Sequence, residues 1–374
     1  MSRGISFLFF VGGFDGSEVE RMVGHAQRAI TMDTIEMVLN SDLCEQVIVS
    51  TDSPEFARSL SNLPIVVELD QVPFHFGQCL RELIRRHHVE HAFYIGGGSA
   101  PLLSLVEIEE LSQSVLDHGQ AQATNNFWSS DFVAFSPASA VDRIELPEID
   151  NNLAFLLERQ AGLTTIPVQR SVGTMFDVDT PSDLMVLEVH PATGPRTRQY
   201  VESLNLDMSH LRRAMRFFTQ VDAEVIVAGR VSSQVLAHME TQTACRTRLF
   251  SEERGMRASG REDRGEVRSL LGFHYEAVGP GRFFANLAEM GHAAFIDSRV
   301  IFNHLGLRLP AADRFHSDLR RPGLIENDLA REFTEAAMAA PIPVVLGGHS
   351  IVAGGLWALV DAAWREHDVE MKSN

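Results

Sequence analysis

Strand-length apolar runs alternate with helix-length segments along almost the whole chain. That alternation confines the fold to largely parallel sheet covered by helices on both faces. In the first half the runs fall at Ile5–Val11, 46–51, 64–69, Ala92–Gly96, Phe132–Ser136 and 163–168, with amphipathic helices expected at 18–40, 79–88 and 105–116. Thr180-Pro181-Ser182-Asp183 announces a further helix, in which Thr caps, Pro takes the first position and Asp completes a capping box, ending near Val189. His190-Pro191-Ala192-Thr193-Gly194-Pro195 then breaks the pattern, so the expected domains are 1–190 and 191–374. The second half resumes with strands at 223–228, 246–250, 292–296 and 342–346. Its helices are expected at 200–218, across 266–289, at 324–339 and at 351–365. A chain of 374 residues is long enough for two domains with separate cores. The expected fold class is α/β: a Rossmann-like, mostly parallel N-terminal sheet followed by a second α/β domain.

Charge narrows the function classes. A formal net charge of −18 argues against a nucleic-acid partner, because phosphate neutralisation needs clustered Lys and Arg. Lys372 is the only lysine, so arginine or a metal must do any work usually given to a phosphate-binding or Schiff-base lysine. Cys44, Cys79 and Cys245 are too scattered for a disulfide framework or a thiolate metal site, which suits a reducing, cytoplasmic setting. The apolar start could pass for a short signal peptide, but Asp15, Glu18 and Glu20 follow at once, and a buried first strand is the expectation. No run approaches the ~20 apolar residues of a membrane helix, so no membrane partner is expected.

Gly12-Gly13-Phe14-Asp15-Gly16-Ser17 joins the first strand to a helix, where backbone amides and a helix N-terminus can cradle phosphate. Asp15, Glu18 and Glu20 oppose that use unless Arg21 or a cation offsets them. A tight turn without a ligand is the alternative. This turn, Ala29 to Glu36, Val47 to Asp52, Gly97-Gly98-Ser99-Ala100-Pro101-Leu102-Leu103, Thr124-Asn125-Asn126 and Phe176 to Leu184 occur in one order. Together, over residues 4–189, they resemble the nucleotidyltransferase (nucleotide-diphospho-sugar-transferase-like) fold, and within it the 2-phospho-L-lactate and molybdenum-cofactor guanylyltransferases.

The resemblance implies a nucleotide held by Gly12, Gly13, Arg21, Gly97, Gly98, Ser99 and Asn125, and a substrate phosphate attacking its α-phosphorus as pyrophosphate leaves. It also implies a magnesium ion, held by carboxylates, that neutralises developing charge. Ser99 stands where the family places an aspartate, and a neutral hydroxyl cannot supply that charge. Asp177 and Asp179 remain as candidate catalytic and metal-ligating residues, on the expectation that alternate residues of a strand share a face; weak magnesium binding follows. The family's lysine is missing too, leaving Arg21 or Arg28 as its substitute. Elsewhere, His87-His88-Val89-Glu90-His91 has an inverted zinc-protease spacing, but it ends a helix and turns into a strand, so a solvated helix terminus is expected.

In the second domain a polar cluster follows every expected strand: Arg230 and Ser232, Arg254, Asp297 and Arg299, and Gly347-Gly348-His349-Ser350. If those strands are parallel, the clusters meet at the carboxyl edge, the usual ligand crevice of an open sheet. Arg230, Arg254 and Arg299 would then favour an anionic metabolite, with His349 as the proton-transfer group and Asp297 orienting it. Polar strand-to-helix turns without a ligand are the alternative.

Two functions follow. The first is a metal-assisted nucleotidyltransferase acting on a small phosphorylated metabolite. The second is a silent nucleotide-binding domain attached to a domain that binds or transforms a small anion. Whether the chain forms a homo-oligomer stays open.

Overall fold

The computed structural model describes residues 4–12, 16–70 and 73–373. These form two compact units: 1–14, 24–177 and 194–197 make the first, and 15–23, 178–193 and 198–374 the second. The helix Pro181–Val189, expected with the first domain, therefore belongs to the second, and the division is not a single break at 190.

The first unit is built on β1 (Ile5–Val11), β2 (Cys44–Thr51), β3 (Val66–Leu69), β4 (Ala92–Gly96), β5 (Ala121–Thr124), β6 (Phe132–Ser136) and β7 (Thr164–Ile166). Their order is β3-β2-β1-β4-β6-β5-β7, parallel except at β6, which runs against β4 and β5. β1, with the sequence ISFLFFV, is buried along its whole length, as a central parallel strand must be. Its side chains alternate between two cores. Leu8 and Phe10 meet Leu80 and Leu83 of the helix Phe76–Arg86 on one face. Phe7 and Phe9 meet Ile35 and Ile108 on the other. Each buried aromatic or aliphatic side chain contributes about 1.5–3 kcal/mol, so this strand pins the sheet.

The second unit holds β8 (Glu224–Gly229), β9 (Arg246–Ser251), β10 (Ala293–Asp297) and β11 (Val344–Gly347) in the order β11-β10-β8-β9. All neighbours are parallel, so all four carboxyl ends lie at one edge. Phe283, Phe284, Phe302 and Phe333 fill a core beneath helices, with ring centroids of neighbouring pairs 5.1–5.2 Å apart.

Several expectations change in detail. The helix expected at 200–218 is interrupted at Asn205 (φ 47°), giving Pro195–Ser203 and Ser209–Met215. The helices Ser298–His304 and Ala311–Asp318 were not anticipated. The last helix starts at Gly354, after a short turn of 3-10 helix at Ser350–Val352. No helix among the described residues is long and apolar enough to cross a membrane.

Candidate functional site

In the first unit the strand ends bring Gly12, Gly97, Gly98 and Ser99 to one edge. The Gly97 N–H donates to Phe10 O at 2.7 Å, so the turn after β4 lies against the end of β1. A methyl at Gly97 would come within 2.9 Å of that same oxygen, which explains the glycine. Gly13 lies outside the described residues. Beside Gly12 stands an acid: a methyl there would be 3.1 Å from the Asp52 carboxyl carbon.

Carboxylates mark the rest of this unit's edge. Tyr94, buried, donates its hydroxyl to Asp150 Oδ2 at 2.5 Å. Its pKa is raised well above the ordinary value by burial and then by Asp150, Asp131 and Asp177, which places all three carboxylates within electrostatic reach of one phenol. Asn125 is a loop clamp: its amide nitrogen donates to Asp131 Oδ2, and the Asp131 N–H returns a bond to Asn125 Oδ1 at 3.2 Å.

The strand argument for Asp177 and Asp179 does not hold. Phe176 to Asp179 is outside any strand, and Asp177 falls in the first unit while Asp179 falls in the second. Arg21 is also in the second unit, exposed, donating to Gly16 O at 3.0 Å. Among the described residues no three His, Cys, Asp or Glu side chains are grouped as a metal site requires, and no step is assigned to magnesium. The histidine-rich segment is a helix end, with His87 bonded to Glu68 Oε1 at 2.9 Å and His91 to Ser136 Oγ at 2.8 Å.

The second unit's edge is built differently. Asp297 ends β10, is buried, and caps the helix Ser298–His304 by accepting from the Arg299 N–H at 3.3 Å. Arg230, at the end of β8, grips it with Nε to Oδ2 at 2.6 Å and a terminal nitrogen to Oδ1 at 3.2 Å. Burial pushes the Asp297 carboxyl up, but Arg230, together with His349 and Arg299, outweighs it and the net direction is down. Asp297 therefore serves Arg230, and the His349 ring makes no hydrogen bond to it.

Arg299 is likewise committed. Its terminal nitrogens reach Asp318 Oδ1 and Oδ2 at 2.5 and 2.6 Å, and one also donates to Gly347 O at 3.3 Å. Both partners are buried, so the pair is floor rather than ligand contact. Ser232 caps the helix Ser233–Gln242, accepting from Val235 N–H at 3.3 Å. Ser350 is buried.

His349 stands exposed in the turn after β11, with protein atoms crowded around it. That crowding and then Arg230 lower its pKa, while Asp297 and Asp179 act the other way and Arg254 adds to the lowering. All four groups are thus within its electrostatic reach. Arg254 is exposed and makes no hydrogen bond or ion pair with a described residue.

The helix entry at Thr180 also belongs here. A methyl at Gly348 would meet Thr180 Cγ2 at 2.9 Å, and one at Gly347 would overlap Ser182 Oγ. The capping box read from the sequence forms, with Asp183 Oδ2 accepting from the N–H groups of Asp179 and Thr180 at 3.0 and 2.8 Å.

Gly229 shows how tightly the floor is built. It has φ 120°, and a methyl on it would overlap Asp297 Cβ. Gly229→Ala is expected to cost about 2–3 kcal/mol through strain and overpacking, read as a lower urea midpoint. An unchanged midpoint would show that the floor can yield.

No family model matches this sequence, and no curated protein does. Solved structures are similar over about half the chain. One from Desulfovibrio desulfuricans G20, provisionally assigned as a nucleotide-diphospho-sugar transferase, is 16% identical, covers 54% of this chain and 95% of its own, and has a TM-score of 0.39. A 4-diphosphocytidyl-2C-methyl-D-erythritol synthase from Anaerococcus prevotii DSM 20548 is 11% identical over 49% of this chain and 95% of its own, with a TM-score of 0.35. A CMP:2-keto-3-deoxy-manno-octonic acid synthetase complexed with CTP is 13% identical over 36% and 65%, at 0.28. The fold described above rests on strand order and register.

Proposed function

We propose that the second unit binds a small anionic metabolite at the carboxyl edge of its parallel sheet, and that the first unit binds a nucleotide without transferring it. One observation carries the reading. Arg230 and Arg299 are neutralised by Asp297 and Asp318, whereas Arg254, within electrostatic reach of His349, has no hydrogen-bond or ion-pair partner among the described residues. A planar guanidinium without a carboxylate suits a phosphate or carboxylate ligand. His349, its pKa lowered, is neutral near pH 7 and able to accept a proton there.

The nucleotide part rests on the glycine turns and on the sequence resemblance of segments 97–103 and 176–184. Ser99 and the acids Asp52, Asp131 and Asp150 argue against the transfer step, since the family's metal carboxylate is absent at Ser99 and an anion must approach an acidic edge.

The test is thermal. Inorganic phosphate at a hundred times its dissociation constant should add about 2.7 kcal/mol of stability, and Arg254→Ala should abolish the response. Nucleoside triphosphates with magnesium should raise the melting temperature without releasing pyrophosphate. Pyrophosphate release would overturn the silent reading, and a full phosphate response in Arg254→Ala would overturn the crevice.

A further inference from the structure

The sheet of the second unit ends on β9, which has β8 on one side and no strand of the described chain on the other. The Arg246 N–H donates to Ala223 O and the Glu252 N–H to Gly229 O, both at 2.9 Å, so the even-numbered residues of this stretch turn their backbone groups toward β8. Thr247, Leu249 and Ser251, alternating with them, turn theirs outward. Those N–H and C=O groups have no hydrogen-bond partner among the described residues.

An open edge is ordinarily blunted by charge, and Arg246 and Arg248 stand on this one. Arg248, however, is paired with Glu224 at 3.2 Å. The surface beside the edge is also apolar: Phe250, Leu270, Phe273, Leu287 and Met290 line an open cavity of about 430 Å³, and Leu270 and Phe273 are 71% and 53% exposed. Such a patch suits a partner better than water.

The charges along the strand choose that partner. Arg246 is exposed, and its guanidinium makes no hydrogen bond or ion pair with a described residue. Glu252 accepts from Ser269 Oγ and from the Leu270 N–H, each at 2.6 Å, and meets no cation among the described residues. If two β9 strands run antiparallel about a two-fold axis at Leu249, Arg246 of each copy falls opposite Glu252 of the other, and Arg248 opposite Phe250. The backbone agrees with this register. Leu249 with its own copy and Thr247 with Ser251 become the hydrogen-bonded pairs, formed by the groups that point outward, while Arg246 and Glu252 meet in a non-hydrogen-bonded pair, where Cα atoms are about 4.5 Å apart and side chains are closest. The two Arg248 side chains stand diagonally, and each brings its own Glu224. Arg246, Arg248 and Phe250 share one face of the strand, so the arginine stems of the second copy cover Phe250 and Leu270.

We infer that β9 is the two-fold interface of a homodimer, in which a second copy of this chain joins its four-stranded sheet to this one, edge to edge.

The experiment is sedimentation equilibrium of the full chain over a wide concentration range. A monomer–dimer equilibrium is expected. Leu249→Pro removes an outward N–H and none of the bonds to β8, and should leave monomer only. Arg246→Glu, which turns two opposite-charge pairs into two like-charge ones, should weaken the dimer about tenfold or more. Symmetry also fixes which residue meets its own copy. On oxidation Leu249→Cys should give an interchain disulfide, because Cα atoms in such a pair are about 5.5 Å apart, within a disulfide's reach, whereas Arg246→Cys and the native chain should not. A native chain that is monomeric at every concentration overturns the inference, and so does a dimer that survives Arg246→Glu undiminished or a Leu249→Cys chain that stays uncrosslinked. Thermal unfolding of each variant separates a lost interface from a lost fold; if Leu249→Pro does not fold, the exposed change Arg246→Glu decides.

Discussion

Replacing Asp318 with alanine is expected to destabilise the second unit by about 3–5 kcal/mol, the cost of leaving a buried guanidinium without its carboxylate. Arg299 has little contact with solvent, and Asp318 has none. Two short bonds join them in the fork geometry that arginine and carboxylate share. Burial alone would disfavour the Arg299 cation, and Asp318 first, with Asp297 and Asp183, more than restores it, so the charge on Arg299 leans on its partner. Removing Asp318 strands that charge, and neither Gly347 O nor Ser298 Oγ, which already accept from Arg299, can neutralise it. The double change Arg299→Met with Asp318→Leu should recover most of the loss, because apolar groups of similar volume avoid the desolvation penalty altogether. Urea unfolding followed at constant m-value measures both effects. A loss below about 1 kcal/mol for the single variant would mean that water reaches Arg299 and that the floor is not closed.

Stability should also carry the signature of one buried acid. Burial, and then the charge of Asp179, push the Asp183 carboxyl from 3.8 up to about 7, against the N–H groups of Asp179 and Thr180 and the Thr180 hydroxyl, which favour its ionised form. One of its oxygens, Oδ1, is buried with no donor. Below about pH 4 this group is protonated in the folded and unfolded chain alike. Between about pH 4 and 7 the unfolded chain ionises first, so stability falls as pH rises; above about pH 7 both are ionised and the loss levels off. The whole effect is roughly 4 kcal/mol. Asp183→Asn, neutral throughout and still able to accept at the cap, should lack it. The stability of the variant relative to the native chain should therefore improve by about 4 kcal/mol between pH 4 and pH 8. A difference that stays constant across unfolding curves in that range would show Asp183 ionised throughout, its three donors outweighing its burial.

Much of the scaffold was legible because the strands bury both faces. Ile5–Val11 and the strands β8, β10 and β11 announce themselves as apolar runs, whereas the edge strand β9, Arg-Thr-Arg-Leu-Phe-Ser, is half polar; parallel pairing brings the polar turns after them to one edge. Ala121–Thr124 was missed because Ala-Gln-Ala-Thr has no such run. It is held by its neighbours and by the Gln122 amide, which donates to Ala154 O at 2.7 Å and to Thr165 at 2.8 Å.

The polar groups at the second unit's strand ends were half legible. The sequence marked Arg230, Arg254, Asp297 and Arg299 as charged groups at strand ends, but not that two arginines would be consumed by carboxylates, since Asp318 comes from a helix with no strand-end signal. The capping box at Thr180 was readable as a local motif, whereas its neighbours at Gly347 and Gly348 are a tertiary fact that local spacing cannot carry.

The assignment of 15–23 and 178–193 to the second unit bears on how this chain can be cut. A fragment ending at residue 190 would carry Thr180 and Ser182 away from the glycine turn they press against, and with them the buried acid Asp183. The complementary fragment would retain that turn and lose its cover. Neither half of the sequence coincides with one compact unit. A fragment of the first unit fit for separate study would have to join 1–14 to 24–177, because β1 lies between β2 and β4 in its sheet.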